Sequence, residues 1–356
     1  MCLAVPGKII KIDGREALIE YPGETQKAYL GDDIKADVGD FVLVQMGVIV
    51  KRINKPITIT AGEKYNDIDA LACAVAYEQL LTLQEIDARI ILPGPLNESV
   101  TATIRNWDFD IATTFQGKPE DFSYVMVDVS EPSHFAKFVK VDQIIEIYDH
   151  RNGFEQFWQE KLGTNAKIEK VGACATLIWE EFKNAGLETN VNKLSANLLY
   201  TAILSNTLNL QAQITTTRDK TALKELTVYA DLPEDWRQVY FDEVSQSIMN
   251  NPIKSMVNDT KVIKVHENQY QIIQLELWDN EQFINDNYDK IIALIKNSQI
   301  RNTFFTSPNI SKGFNYIITT DDDLKKRLTD CIKAEFDHHI GKTNKLWLRK
   351  EIMRLL

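Results

Sequence analysis

The chain has 356 residues, 44% of them apolar and 26% charged, which at about 150 residues per domain suggests two or three domains and argues against disordered or fibrous classes. Lys and Arg total 40 against 51 Asp and Glu, a net charge of −11 that excludes a coat for duplex nucleic acid and requires a bound metal or a local basic cluster for any small anionic substrate. No window reaches the roughly 18 consecutive apolar residues of a membrane span, and MCLAVPGKIIKIDG lacks the regions of a signal peptide, so a cytoplasmic protein without a membrane partner is expected.

Residues 1–54 read as short alternating strands broken at Gly14, Gly23, Gly31 and Gly39, which predicts a small antiparallel β-barrel, with Asn54-Lys55-Pro56 as linker. From Ile57 the texture changes to apolar strands (ITIT, ARIILPG, SYVMVDV, IIEIYDH) alternating with helical stretches, including DALACAVAYEQLLTL, Thr176–Phe182 and Lys193–Leu208. That rhythm predicts an α/β domain over 57–232, with a mostly parallel sheet covered on both faces. Beyond Leu232-Pro233, a hairpin in KVIKVHENQYQIIQLEL and further alternation predict a smaller α/β unit over 235–356. The four cysteines form no CxxC pair, which argues against a disulfide framework or structural zinc; Cys73 and Cys174 lie in apolar runs as buried thiols, whereas Cys2 sits near the N-terminus.

Acidic groups follow three of the apolar runs: Asp67 and Asp69, Asp128, and Asp149 with His150. In an open parallel sheet the carboxyl ends of strands share one rim where ligands bind, so these groups are expected to meet there and offer oxygen and nitrogen donors to Mn, Mg or Co. Asp67 and Asp69, two apart on an extended segment, are expected to face one side. Taken singly, each Asp is equally a turn former or helix cap.

GEKYNDIDALACAVAY, LPGPLNES, MVDVSEP, IYDHR, VGACATLIW, AILSNTLNL, ITTTRD and the final LRK occur in the order of the motifs of the DHH phosphoesterase superfamily, and most resemble family II inorganic pyrophosphatases over residues 57–356. The resemblance implies hydrolysis of a phosphoanhydride at a pair of divalent metals, Mn2+ or Mg2+, with partial occupancy open. It assigns metal-ligand positions to Glu63, Asp67, Asp69, Asp128, His150 and Asn206, and catalytic roles to Asp128, His150 and Arg151. Arg151, Lys261, Arg349 and Lys350 fall to phosphate binding in a closing second domain. Three of these positions depart from the family: Glu63 and Arg151 replace histidines, and Asn206 replaces an aspartate, which removes charge from a site that must neutralise two dications. The string Asp337-His338-His339 follows an amphipathic helix and is expected to be a solvated turn.

MCLAVPGKI and VGDFVLVQMG resemble the HypC/HupF hydrogenase-maturation chaperones, small β-barrels whose cysteine after the initiator Met handles an iron unit with a partner protein. Cys2 matches that thiol and Gln45 replaces the family's histidine, so residues 1–53 are expected to bind a ligand or a maturation partner. The leading function is a metal-dependent phosphohydrolase acting on pyrophosphate or a similar small phosphorylated anion. The alternative is a non-hydrolytic assembly protein in metallocluster maturation. Substrate, metal and oligomeric state stay open.

Overall fold

The computed structural model describes residues 6–21 and 23–356; Cys2 and its expected ligand role lie outside them. Strands β1 (Pro6–Asp13), β2 (Glu16–Tyr21), β3 (Glu24–Leu30), β4 (Phe41–Gln45) and β5 (Val48–Ile53) close into a barrel in the order β1-β2-β3-β5-β4. Its inward positions carry Ile9, Ala17, Ile19, Ala28, Val42 and Ile49, the period-2 pattern of a one-sided strand. The barrel departs from the antiparallel expectation at one seam: β3 and β5 pair in parallel, because residues 31–40 cross the barrel end and send β4 back beside β1.

The chain continues through β6 (Ile57–Thr60), α1 (Ile68–Leu83), β7 (Ala88–Ile91), α2 (Ala102–Arg105), β8 (Ser123–Val127), β9 (Ile144–Asp149), α3 (Glu155–Leu162), β10 (Ala166–Ile168), α4 (Cys174–Asn184), α5 (Lys193–Asn206) and α6 (Thr217–Leu226). The five strands form a wholly parallel sheet in the order β10-β9-β8-β6-β7. One face is covered by α1, α4 and α5, with Leu71, Trp179, Phe182 and Leu199 fully buried. Tyr124, Phe135 and Trp158 pack in the cluster on the other. The sheet therefore has only its strand ends free to build a site, as in other covered parallel sheets.

The remainder is α7 (Trp236–Asn250), α8 (Pro252–Asn258), β11 (Thr260–Val265), β12 (Asn268–Gln274), α9 (Glu281–Lys296), β13 (Asn302–Asn309), β14 (Phe314–Ile318), α10 (Asp322–Ile332), β15 (Glu335–Asp337), β16 (Ile340–Lys342) and α11 (Arg349–Met353). Its sheet, β11-β12-β13-β14-β16-β15, is antiparallel except between β12 and β13. Helix α7 joins the two bodies: Trp236, Tyr240 and Phe241 belong to the first sheet's core and Ile248 to the second's. Asp337 ends β15 and His338-His339 turn the chain into β16, with His338 in the left-handed region at φ 51°; Asp337 and His338 are solvated as expected, in a hairpin and not at a helix end, while His339 is half-buried.

The barrel docks at the amino ends of the parallel strands. Lys8 pairs with Asp121, Lys118 with Glu20 at 2.8 Å, and the linker's Lys55 reaches Glu120 O and Gln143 Oε1, all just ahead of β8 and β9. The rim that carries the acidic groups is at the other end of those strands, about 17 Å away for a five-residue strand. Among the described residues no helix is long and apolar enough to cross a membrane.

Candidate metal centre

Asp69, Asp128 and His150 meet at the carboxyl ends of β8 and β9, all buried, with a ligand atom of each within 4.8 Å of the others. His150 Nε2 lies 3.5 Å from Asp128 Oδ1 and 3.9 Å from Asp69 Oδ2. Ligand atoms sharing one ion at bonds of about 2.0–2.6 Å lie about 3–5 Å apart, so this trio fits a single divalent cation. The set of two carboxylates and one imidazole suits Mn2+.

Each group is positioned by backbone. Asp69 is on the first turn of α1, and its carboxylate accepts from Cys174 N and Ala175 N, both at 2.8 Å, the first amides of α4. That helix start favours an anion at the spot. Burial, and then the nearby Asp67, raise the Asp69 pKa despite those amides, as expected of a carboxylate awaiting a cation. Asp128 ends β8 in the left-handed region at φ 54°, a conformation Asp tolerates better than most residues, and its N–H donates to Tyr148 O. Burial likewise raises its pKa, against the pull of Arg151.

His150 Nδ1 is 3.3 Å from Val171 O, a contact that assigns the proton to Nδ1 and leaves the Nε2 lone pair facing the carboxylates. Burial, Arg151 and Lys350 all push its pKa well down, so the ring is neutral, as a metal ligand must be. Val171 is held in turn from a distance. Asp219, the aspartate of ITTTRD, accepts from Gly172 N at 2.9 and 3.0 Å, from Thr176 Oγ1 at 2.7 Å and from Thr216 N at 2.7 Å. Gly172 is required there because a Cβ would lie 2.5 Å from Thr207 Cγ2. Asp149 also turns away from the trio, accepting from His150 N, Arg151 N and Ser130 Oγ. Asp219 and Ser130 have no role in the sequence-based site, although they lie in the ITTTRD and MVDVSEP motifs and Thr216 with Asp219 has the spacing of a capping box.

The other expected ligands stand differently. Asp67 and Asp69 do not lie on an extended segment: Asp67 caps α1, its Oδ1 accepting from Asp69 N and Ala70 N at 3.1 and 3.0 Å, because an Asp before an apolar helical run is a strong N-cap. Glu63 is exposed, anchored by its backbone N–H to His134 O. Asn206 closes α5 with its amide 3.4 Å from Ala202 O. Beneath the trio, Cys73 Sγ lies 3.6 Å from Asp69 Oδ1; burial pushes that thiol well up and Cys174 to about 12, so both are protonated.

Arg151 grips Asp128 with both arms, Nη1 to Oδ1 at 2.8 Å and Nη2 to Oδ2 at 2.9 Å, while Nη1 also reaches Asp128 O and Asp149 Oδ1. Burial opposes its charge, but Asp128 and Asp149 outweigh it and hold the guanidinium well above its ordinary pKa. The side chain remains 47% exposed.

The second sheet closes over the rim through α11. Glu351 accepts from Ile214 N at 2.9 Å and Leu348 N at 2.8 Å, and Gln211 Nε2 donates to Ile310 O. Lys350, exposed on the first turn of α11, has its pKa lowered by burial first and then by Arg151. Lys261, exposed on β11, is lowered by burial and by Arg349. Arg349 is tied down, Nη2 to Asp259 Oδ1 at 2.8 Å and Nη1 to Asp259 O at 2.6 Å. Tyr65, which the sequence did not single out, has its pKa raised by burial and then by the charge of Asp67, with Arg151 acting in the opposite sense.

Residues 1–56 match the HupF/HypC family. The chain is 24% identical over 291 residues to a protein of Clostridium acetobutylicum named probable manganese-dependent inorganic pyrophosphatase, covering 79% of this chain and 89% of that one. A protein of Listeria welshimeri with the same name is 24% identical over 229 residues, covering 64% and 73%. Among solved structures, a Methanococcus jannaschii chain bearing a provisional family II inorganic pyrophosphatase name superposes with a TM-score of 0.60 at 19% identity, over 84% of this chain and 99% of that one. The chain thus shares the fold of that protein, joined to a HupF/HypC-type barrel.

Proposed function

We propose that this protein is a divalent-metal-dependent phosphohydrolase acting on a small phosphorylated anion, with pyrophosphate the first candidate and Mn2+ the preferred ion. The observation that carries the reading is the buried Asp69, Asp128 and His150 trio on the rim, facing Lys350 across the cleft. The similarity to proteins named manganese-dependent inorganic pyrophosphatases supports the substrate class and the metal. An ion held by the trio supplies Lewis-acid polarisation of a phosphoryl oxygen. The protein's own part is to bind and orient the anion. Lys350 brings positive charge to the cleft, while Arg151, its fork held by Asp128, contributes charge rather than a free fork. Glu351 of α11 on Ile214 N, and Ile310 O on Gln211, hold the second sheet against the 211–214 loop beside the cleft.

Phosphate release from pyrophosphate, tripolyphosphate and nucleotides, with Mn2+ present and then chelated, tests the reading. The expected result is Mn2+-dependent release that falls at least about 10²-fold in Asp128→Asn, the scale for losing one preorganised electrostatic group. Release that persists in chelator, or no release from any of these anions, overturns it. In the second case the assembly-protein alternative takes its place.

A further inference from the structure

Resting on the reading of the trio as a metal centre, we infer that this site holds one divalent ion and that the Arg151 guanidinium is a resident cation in the place of a second. Asp128 has both carboxylate oxygens engaged by the guanidinium at 2.8 and 2.9 Å, and only its Oδ1 also faces His150, at 3.5 Å. Oδ1 is thus shared between the trio and the guanidinium, while Oδ2, the oxygen a second ion would need, is taken by the guanidinium. The carboxylates around the guanidinium are Asp128, Asp149 and, farther off, Asp67.

The remaining candidates for a second ion on that side are already committed or remote. Asp67 spends Oδ1 on two amides of α1, Asp149 turns toward Ser130 and the His150 amide, and Glu63 is exposed. A second dication beside Asp128 would have to displace a guanidinium that makes two charge-assisted bonds in a planar fork, and it would meet a fixed positive charge. The trio, by contrast, keeps a ligand atom from each of Asp69, Asp128 and His150 within 4.8 Å of the others, with Arg151 touching only the Asp128 side.

Arg151 therefore acts as a positioning residue that fixes Asp128 and sets the stoichiometry.

The test is Mn2+ stoichiometry on the full chain, by calorimetric titration and elemental analysis, beside the electron paramagnetic resonance spectrum of the bound ion. Wild type is expected to bind one Mn2+ per chain with the hyperfine pattern of an isolated ion. Arg151→His, which replaces the fork with an imidazole, is expected to admit a second ion and the broadened spectrum of a coupled pair. Arg151→Lys keeps the charge and is expected to stay at one. Two ions per wild-type chain, no bound ion, or a second ion in Arg151→Lys overturns the inference, as does a single ion in an Arg151→His protein that melts like wild type. Phosphate release measured on the same samples separates this from the proposed function. Two ions with turnover remove only the present inference, and one ion without turnover removes only the phosphohydrolase reading.

Discussion

On the rim of the parallel sheet, Asp69 and Asp128 are buried carboxylates with raised pKa values, held in place by the α4 amides and by strand-end backbone. Across the cleft, the second sheet presents Arg349, Lys350 and Lys261, yet Arg349 is already neutralised by Asp259 from its own sheet. The rim keeps an imbalance of negative charge, and the facing surface has cancelled part of its positive charge internally. A carboxylate fixed by neutral N–H groups stays available to a cation, whereas a guanidinium fixed by a carboxylate is withdrawn from an incoming phosphate. Charge counted along the sequence overstates what the second sheet can offer.

The largest effect should come from the rim. Asp69→Asn replaces a carboxylate that accepts an α4 amide on each oxygen with a group that accepts on one side only, and its NH2 then opposes an N–H. Mn2+ affinity, read by calorimetry, should fall by more than about 100-fold, beyond what losing an outer partner causes. Unchanged affinity would show that the trio is not the metal site.

Next comes the support beneath. Asp219→Asn touches none of the three ligand atoms but loosens the Gly172 loop whose Val171 carbonyl orients His150. A loss of about 10- to 100-fold in Mn2+ affinity is expected. A fall in melting temperature with metal affinity intact would make Asp219 a purely structural residue.

The facing sheet should divide into two kinds of basic residue. Lys350→Ala should weaken phosphate binding to the Mn2+-loaded protein by about 10-fold or more, the worth of one charged hydrogen bond at roughly 1.5–3 kcal/mol. Arg349→Ala should instead cost about 1–3 kcal/mol of stability by stranding Asp259, with a smaller loss of phosphate affinity, measured by denaturant titration. The reverse order, with Arg349 dominating anion binding, would erase the contrast drawn between the two surfaces.

How far the sequence foretold this arrangement depends on the range of each contact. Asp128 and His150 were legible because a strand end in a parallel sheet has a fixed address on the rim. Asp69 was found for a partly mistaken reason, since it sits in the first turn of α1 and not on an extended segment. Asp67 shows the cap signal in the sequence itself, an Asp directly ahead of an apolar helical run, and the same signal fits a ligand equally well until the helix start is known. The bonds of Arg151 to Asp128, of Asp219 to Gly172 and of Arg349 to Asp259 join residues 23, 47 and 90 positions apart. Which charges cancel is decided by tertiary closure, and no local pattern records it. The β3–β5 seam of the barrel is hidden for the same reason: alternation fixes which side chains point inward, not which strand lies alongside.

The smallest expected effect tests whether the facing sheet also holds a carboxyl poised by its surroundings. Glu276 sits beside Gln274, Asp259, Arg349 and Lys350, and burial, followed by the charge of Asp259, pushes it up to about 7 from an ordinary 4.5, the two basic groups acting in the opposite sense. A group whose pKa is raised by folding holds its proton in the native chain after the unfolded chain has released it. Its contribution to stability is therefore complete below about pH 4.5 and is lost as the pH rises through about 7. Glu276→Gln has no proton to lose, so the decline in melting temperature of the metal-free protein between about pH 5.5 and about pH 8 should be shallower in the variant than in wild type. Parallel curves would mean that Arg349 and Lys350 keep Glu276 ionised throughout, and that the second sheet has neutralised Lys350 as fully as it has Arg349.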